Sequence, residues 1–185
     1  MATQGNIFFF KTFLGVFLVV LLSSFSFDEN YPKQIKIVRA GFYEAVNDSK
    51  KAKPLAKIIS DFQSRSALVK VYEGANCAIM AKNKWSPFAA IKLLKKSNIM
   101  MNAAIKKSPT NVEIHFIRFA VQKNIPEFLG YSKDVEKDKN FILQNINNFK
   151  ANNLSEEMRL YILNFLIEQA GYNEAELQII EEKLS

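Results

Sequence analysis

The sequence predicts an all-α protein built from antiparallel helical hairpins, and three observations support this. Apolar residues recur at spacings of three and four along most of the chain, and no segment alternates in the manner of a strand. Residues that start and stop helices divide this pattern into blocks with short connections, as in helices that pack beside their neighbours. The 185 residues include only 6 Gly and 5 Pro, too few for the many tight turns of an all-β fold.

The first four predicted helices are bounded by local start signals. Signals of this kind are dense from Tyr31 onward. Pro54 suits the first turn of the second helix, and Ser86 followed by Pro87 is a cap followed by proline at the first helical position. These four helices are predicted near residues 33–48, 54–63, 66–83 and 87–107.

The last four predicted helices follow from caps and one glycine. Thr110 with Glu113 reads as a capping box, in which Thr caps the third amide and Glu reaches back. Asn153 is expected to cap a later helix by the same logic, and Gly171 to end that helix in the left-handed conformation. These helices are predicted near residues 111–123, 132–150, 155–170 and 173–184.

The N-terminal segment has the pattern of a secretory signal. Residues 7–27 are strongly apolar with Lys11 as the single charge, and small residues precede Phe27 at the positions that a signal peptidase requires. We therefore predict a signal peptide at 1–26, a single all-α domain at 27–185, and an exported protein, periplasmic or secreted. The alternative is an uncleaved membrane anchor formed by residues 7–27, and a membrane is expected as a partner only in that case.

Composition removes several classes of enzyme. One Cys excludes an intramolecular disulfide framework and a zinc site with several cysteines, and one His excludes a site with two imidazoles. No cofactor and no metal are expected. Cys77 lies in an apolar setting and is predicted to be buried.

Charge is unevenly distributed along the chain, whose formal net charge is +7. Residues 33–107 hold 16 basic and 4 acidic residues, a net charge of +12, whereas residues 108–185 hold 8 and 12, a net charge of −4. A basic surface of this kind meets anionic lipid headgroups, an acidic polysaccharide or an acidic partner protein. The alternative is a set of solvated helix faces kept soluble by lysine. Nucleic acid is not expected as a partner, because the chain has few arginines and no aromatic strand platform.

One stretch has a residue pattern typical of a helical repeat. The pattern is Ser97-x3-Met101-x2-Ala104-Ile105-x3-Pro109-x-Asn111. It resembles the second helix of a tetratricopeptide repeat and the turn after it, and the resemblance extends over residues 66–124. It implies hairpins stacked in a tetratricopeptide-like array with a concave partner-binding face. The residues that the resemblance places on that face are Lys70, Tyr72, Asn76 and Arg118.

Two aromatic segments are further candidates for partner binding. Phe128 and Tyr131 flank Gly130 in a predicted interhelical loop, where they either fill the domain's own core or form a contact patch. Trp85 either packs against the helix that follows it or presents its indole to a partner. The segments around these residues also resemble a family of uncharacterised exported proteins of Bacteroidetes-type bacteria, which implies a location but no activity.

Candidate catalytic chemistry is sparse. His115 is either a general base or a packed helix residue, and its position in the middle of a helix favours packing. Cys77 could act as a nucleophile only beside His115. Asp134 and Asp138 share one helical face, but the lysines between them favour a solvated surface.

The sequence thus predicts a non-enzymatic, exported binding or scaffold protein that docks a protein or an anionic envelope partner through a groove or a basic face. The alternative is a small helical enzyme or carrier for lipid or cell-wall material.

Overall fold

The computed structural model describes residues 31–62 and 66–184, and these residues form helices and no strand. The predicted all-α class is confirmed. The α-helices are α1 (Tyr31–Asn47), α2 (Ala52–Asp61), α3 (Ala67–Lys82), α4 (Pro87–Lys107), α5 (Val112–Lys123), α6 (Val135–Gln144), α7 (Glu156–Glu168) and α8 (Glu174–Leu184). Short 3-10 segments lie at Ser49–Lys51, Glu127–Leu129 and Ile146–Asn152.

The predicted signal peptide at 1–26 and its alternative, an anchor at 7–27, lie outside the described residues. Within the described part of the chain, no helix combines the length and the apolar character needed to cross a bilayer. Residues from Lys33 onward cluster into one compact unit.

Two of the helix caps predicted from the sequence are wrong by one or two residues. Asn111, not Thr110, caps α5, and its side chain accepts hydrogen bonds from the backbone amides of Glu113 and Ile114. Ser155, not Asn153, caps α7 by accepting from the amide of Met158. Each residue that caps lies one position before its helix in extended conformation, which is the geometry that a side-chain cap requires.

The predicted helix at 132–150 is divided in two. Helix α6 ends at Gln144, and Asn145 donates from its side chain to the carbonyl of Phe141, 2.9 Å away. Asparagine side chains compete in this way for backbone groups and disfavour a continuous helix. The chain therefore continues as the 3-10 segment Ile146–Asn152. Gly171 has a φ of 73°, so the predicted left-handed residue after α7 is confirmed.

Helices α3 and α4 form the most extensive helix pair among the described elements. A Cβ atom on Gly74 would lie 3.0 Å from Cγ of Met101 and 3.1 Å from the carbonyl oxygen of Ser97. Ser97, Met101 and Ala104 are all buried on the facing side of α4. The absence of a side chain at Gly74 therefore allows these two helices to approach closely.

Helix α5 lies at the centre of the core. All of its residues except Val121 and Lys123 are buried, although the helix contains charged and polar side chains. Phe116 lies edge-to-face against Phe149 and Phe165, with ring centroids 6.2 and 5.6 Å apart. Charged side chains on a helix that is buried on all sides must be paired internally, and this requirement organises the ion networks described next.

Candidate functional site

A buried ion network joins α1, α3 and α5. Arg39 donates from Nε to Oε1 of Glu113 at 2.8 Å and from Nη2 to Oε2 at 2.6 Å, which makes a bidentate pair. The hydroxyl of Tyr72 donates to the same Oε1 at 2.6 Å. Arg39 Nη2 also donates to the carbonyl of Asn152 at 3.0 Å, so the guanidinium fixes the segment that leads to α7.

The electrostatics of this network favour a neutral Tyr72. Burial raises the pKa of Tyr72 well above its usual value of 10.0, and the negative charge of Glu113 adds to the increase. Tyr72 therefore acts as a hydrogen-bond donor to Glu113 and not as a base. All three side chains have internal partners and belong to the interior of the fold.

A second buried network joins α5 and α6 around Asp138. Arg118 donates from Nε to Oδ2 of Asp138 at 2.7 Å and from Nη2 to Oδ1 at 2.8 Å. Its Nη1 donates to Oδ1 of Asn102 at 2.8 Å and lies 3.5 Å from Oδ2 of Asp134. Asp138 is completely buried, so the prediction that it lies on a solvated surface is wrong. Its carboxylate instead compensates the buried charge of Arg118.

His115 belongs to the same network. Its Nδ1 lies 2.7 Å from Oδ1 of Asp138, and its Nε2 lies 2.9 Å from the carbonyl oxygen of Pro109. Both partners present oxygen atoms to the ring nitrogens. The ring also stacks on Phe141 with centroids 3.8 Å apart. His115 is therefore held in a packed position, with both nitrogens engaged.

An open apolar cavity of about 450 Å³ lies elsewhere on the domain. Helices α1, α3, α4, α5 and α7 all contribute to its wall, together with the segment after α5. Its described lining residues are Phe42, Val46, Asn47, Ser49, Ala78, Ile79, Ala81, Lys82, Ala90, Leu94, Ala120, Val121, Asn124, Ile125, Pro126, Tyr161, Phe165 and Gln169. Of these residues, Lys82 alone is charged. The volume lies within the range of known ligand sites, about 300–1,000 Å³.

The sequence-predicted concave-face residues do not line this cavity. Tyr72, Asn76 and Arg118 are buried, and each has an internal hydrogen-bond partner. Asn76 donates from its side chain to the carbonyl of Ala52 at 2.8 Å and so connects α3 to the start of α2. Lys70 is exposed but lies outside the lining. Burial leaves the first three side chains no surface for a partner, which differs from the position that the repeat resemblance implied.

The aromatic candidates lie at the surface to different degrees. Trp85 is fully exposed, and Phe128 is 86% exposed, so neither packs into the core of the described domain. Tyr131 is half-buried. None of the three lines the cavity. Their role in partner binding stays a prediction.

The remaining reactive side chains do not form a catalytic or metal site within the described residues. Cys77 is buried as predicted, and burial raises the pKa of its thiol. No group of three or more His, Cys, Asp or Glu residues is placed to hold a metal ion in the part of the chain that the structure describes.

Comparisons with protein-family models, with curated proteins and with solved structures find no match for this chain. Its class is therefore defined by its own described residues: an all-α domain with two buried ion networks and an open apolar cavity.

Alkaline pH is expected to destabilise the fold through tyrosines that folding keeps neutral. Burial raises the pKa of Tyr161 to about 12 and raises those of Tyr72 and Tyr172 as well. A raised folded-state pKa contributes stability that is present in full below the unfolded value of about 10 and is lost as the pH rises through the folded value. The urea midpoint should therefore fall as the pH rises from about 10 to about 12. Tyr161→Phe should reduce that fall, and an identical fall in this variant would contradict the assignment to Tyr161.

Proposed function

We propose that this chain is an exported, non-enzymatic binding protein, and that its open cavity holds an apolar segment of a partner protein flanked by acidic residues. The observation that supports this most strongly is the composition of the cavity wall, which is mainly apolar and contains small side chains on three helices. Ala78, Ala90 and Ala120 come from α3, α4 and α5 respectively. Small residues allow a partner helix or its large side chains to approach the wall closely.

The apolar wall continues onto the outer surface of the domain. Val46 lines the cavity and is 39% exposed. One turn before it, Tyr43 is 38% exposed and lies edge-to-face against Tyr161, another lining residue, with centroids 5.8 Å apart. Apolar surface that extends beyond a pocket favours a macromolecular partner, because a partner protein covers both the pocket and its rim.

Charge supports an acidic partner. Lys82 is the one charged residue among the described lining residues, and it is exposed at the end of α3. It lies in the half of the sequence with a net charge of +12. Acidic residues beside the apolar segment of the partner would complement this field and accelerate association.

The lining also supports binding over catalysis. It includes no His, Cys, Asp or Glu among the described residues, so the wall offers no side chain of the types that most often serve in acid–base chemistry. His115 does not line the cavity, and both of its ring nitrogens are engaged elsewhere. We further propose that the hairpins stack in a tetratricopeptide-like manner, with the close α3–α4 contact at Gly74 as support.

The second candidate function is a carrier for an anionic amphiphile. One observation favours it specifically: a single lysine stands among mainly apolar lining residues, which suits one carboxylate or phosphate headgroup and an apolar chain. The two functions predict different ligands for the same cavity, so one experiment distinguishes them.

Binding of a labelled model peptide tests the proposal. The peptide is an amphipathic helix with leucine on one face and glutamate on the other, followed by fluorescence anisotropy. Ala90→Leu should weaken binding at least about tenfold, because the added side chain occupies the cavity. Ala89→Leu is the matched control, since Ala89 is the preceding residue of α4 and does not line the cavity. Lys82→Glu should weaken binding roughly three- to tenfold, whereas Lys84→Glu, outside the lining, should have less effect.

Three outcomes would overturn the proposal. One is equal loss of peptide binding in the Ala89 and Ala90 variants. Another is binding of the fluorescent fatty acid cis-parinaric acid with no binding of the peptide, which would assign the cavity to the carrier function. Failure of both probes to bind would overturn both functions.

A further inference from the structure

The outer face of α4 carries apolar and basic side chains together. We define the α4 outer face as Phe88, Ile91, Lys92, Lys95 and Ile99, which recur at spacings of three and four along one side of the helix. Phe88 is 86% exposed, Ile99 59% and Ile91 46%. Both lysines are exposed as well. The face spans about 17 Å at the usual helical rise.

This face is turned away from the core of the domain. The buried positions of α4 include Ser97, Met101 and Ala104, which lie on the opposite side of the helix. None of the residues of the outer face lines the cavity. Exposure of large apolar side chains here is therefore not required by packing, and it points to a binding surface distinct from the cavity.

Trp85 extends this surface beyond the start of α4. It is the single Trp of the chain and is fully exposed three residues before Phe88. An indole that protrudes without a surrounding pocket suits the interfacial layer of a bilayer, where tryptophan places its ring at the level of the headgroups. A protein partner would instead need a preformed pocket to bury it.

The α4 segment that carries this surface is strongly basic. Residues 82–107 contain seven lysines and no acidic residue. Glu73 on α3 lies 3.9 Å from Lys96, in a pair that is exposed on both sides. Lysine is a flexible point charge that attracts lipid phosphates without fixed geometry, and its apolar stem can lie along the bilayer surface.

We propose that the α4 outer face and Trp85 dock on the surface of an anionic bilayer, with α4 parallel to the membrane plane, the aromatic rings inserted at headgroup depth and the lysines against lipid phosphates. This surface does not depend on the proposed function of the cavity. The combination of exposed large apolar residues and lysines on one helical face, with an exposed indole just before the helix, is the pattern of interfacial membrane binding. It places the domain on a membrane without a spanning helix.

The fluorescence of Trp85 tests this proposal directly, because no other Trp contributes to the signal. The full chain is titrated with vesicles of phosphatidylglycerol and phosphatidylcholine, and with phosphatidylcholine alone. The anionic vesicles should shift the emission to shorter wavelength, and bromine-labelled acyl chains should quench it. Lys92→Glu with Lys95→Glu should weaken binding about thirtyfold or more, and Phe88→Ser about tenfold.

A matched control distinguishes the effect of the α4 outer face on vesicle binding from the effect of net charge. Lys50→Glu with Lys53→Glu makes the same change in net charge at exposed positions near the start of α2, and should weaken binding less than about threefold. Vesicle binding that leaves the Trp85 emission unchanged would show attachment elsewhere, including through residues 7–27, and would overturn the proposal. Equal binding to both vesicle types would also overturn it. Binding to poly-glutamate that the Lys92 and Lys95 changes abolish, without any vesicle effect, would assign the face to an acidic protein and overturn the membrane proposal.

Discussion

Asp138→Asn is expected to lower the free energy of unfolding by about 3–5 kcal/mol, because it removes the buried carboxylate that pairs with Nε and Nη2 of Arg118 and leaves that guanidinium with the more distant, partly exposed Asp134. Asp138 is completely buried, and its two oxygens accept from both Arg118 and His115. The amide retains one oxygen acceptor but carries no charge. Urea unfolding measures the difference, and the melting temperature should fall by roughly 6–20 °C.

Asp134→Asn is the matched control for this change. Asp134 lies one helical turn before Asp138 and 3.5 Å from Nη1 of Arg118, but its side chain is 21% exposed. Solvent screens such a pair, so this substitution should cost less than about 1 kcal/mol. Equal losses for the two aspartates would contradict the assignment of Asp138 as the centre of the network.

Glu113→Gln is expected to have a similarly large effect, about 3–5 kcal/mol, because Arg39 then remains buried without its carboxylate. The pair is bidentate, and Tyr72 donates to the same carboxylate. Tyr72→Phe removes one hydrogen bond and should cost only about 0.5–1.5 kcal/mol. Chemical denaturation of the single variants gives both values.

A double variant tests whether the large loss of stability in Glu113→Gln comes from the unpaired charge of Arg39. Arg39→Met with Glu113→Leu removes both charges and leaves apolar side chains in the interior, so it should recover much of the stability lost in Glu113→Gln. In a double-mutant cycle built from Arg39→Met, Glu113→Leu and the double variant, the coupling free energy should lie near the upper end of the range of about 0.5–3 kcal/mol found for contacting residues. Additive losses would show that Arg39 and Glu113 do not stabilise the fold as a pair.

The helices could be predicted from sequence because their signals are local. Pro87 and Lys107 bound α4 as the sequence predicts, and Gly171 has the left-handed conformation expected after α7. The conformation at each of these positions depends on a few neighbouring residues. Local sequence signals therefore predict most of the secondary structure in the described residues.

The ion networks could not be predicted in the same way because their partners are remote in sequence. Glu113 stands three residues after Thr110, the spacing of a capping box, but its carboxylate binds Arg39, 74 residues earlier. The lysines beside Asp138 predict a solvated helix, whereas its partners lie 20 and 23 residues earlier on α5. One signal was present: Glu113, His115 and Arg118 are the polar residues within the otherwise apolar stretch 112–121, and such charged groups inside a buried helix require buried partners.

The cavity has no sequence signal of its own. Its wall combines α1, α3, α4, α5 and α7, and its volume depends on the distances between these helices. The repeat resemblance implied a binding face but assigned it to Tyr72, Asn76 and Arg118, which are buried. Tertiary packing therefore determines which helix faces are buried and which remain available to a partner.

We propose that the ion networks stabilise the fold while the cavity binds the partner, and anisotropy titration of the acidic amphipathic peptide against two variants tests this most directly. At a temperature where both variants are folded, Asp138→Asn should bind the peptide within about twofold of the unsubstituted chain, although it is less stable. Ala90→Leu should retain its stability and lose at least about tenfold in affinity. Loss of peptide binding in folded Asp138→Asn together with unchanged binding in Ala90→Leu would contradict the claim.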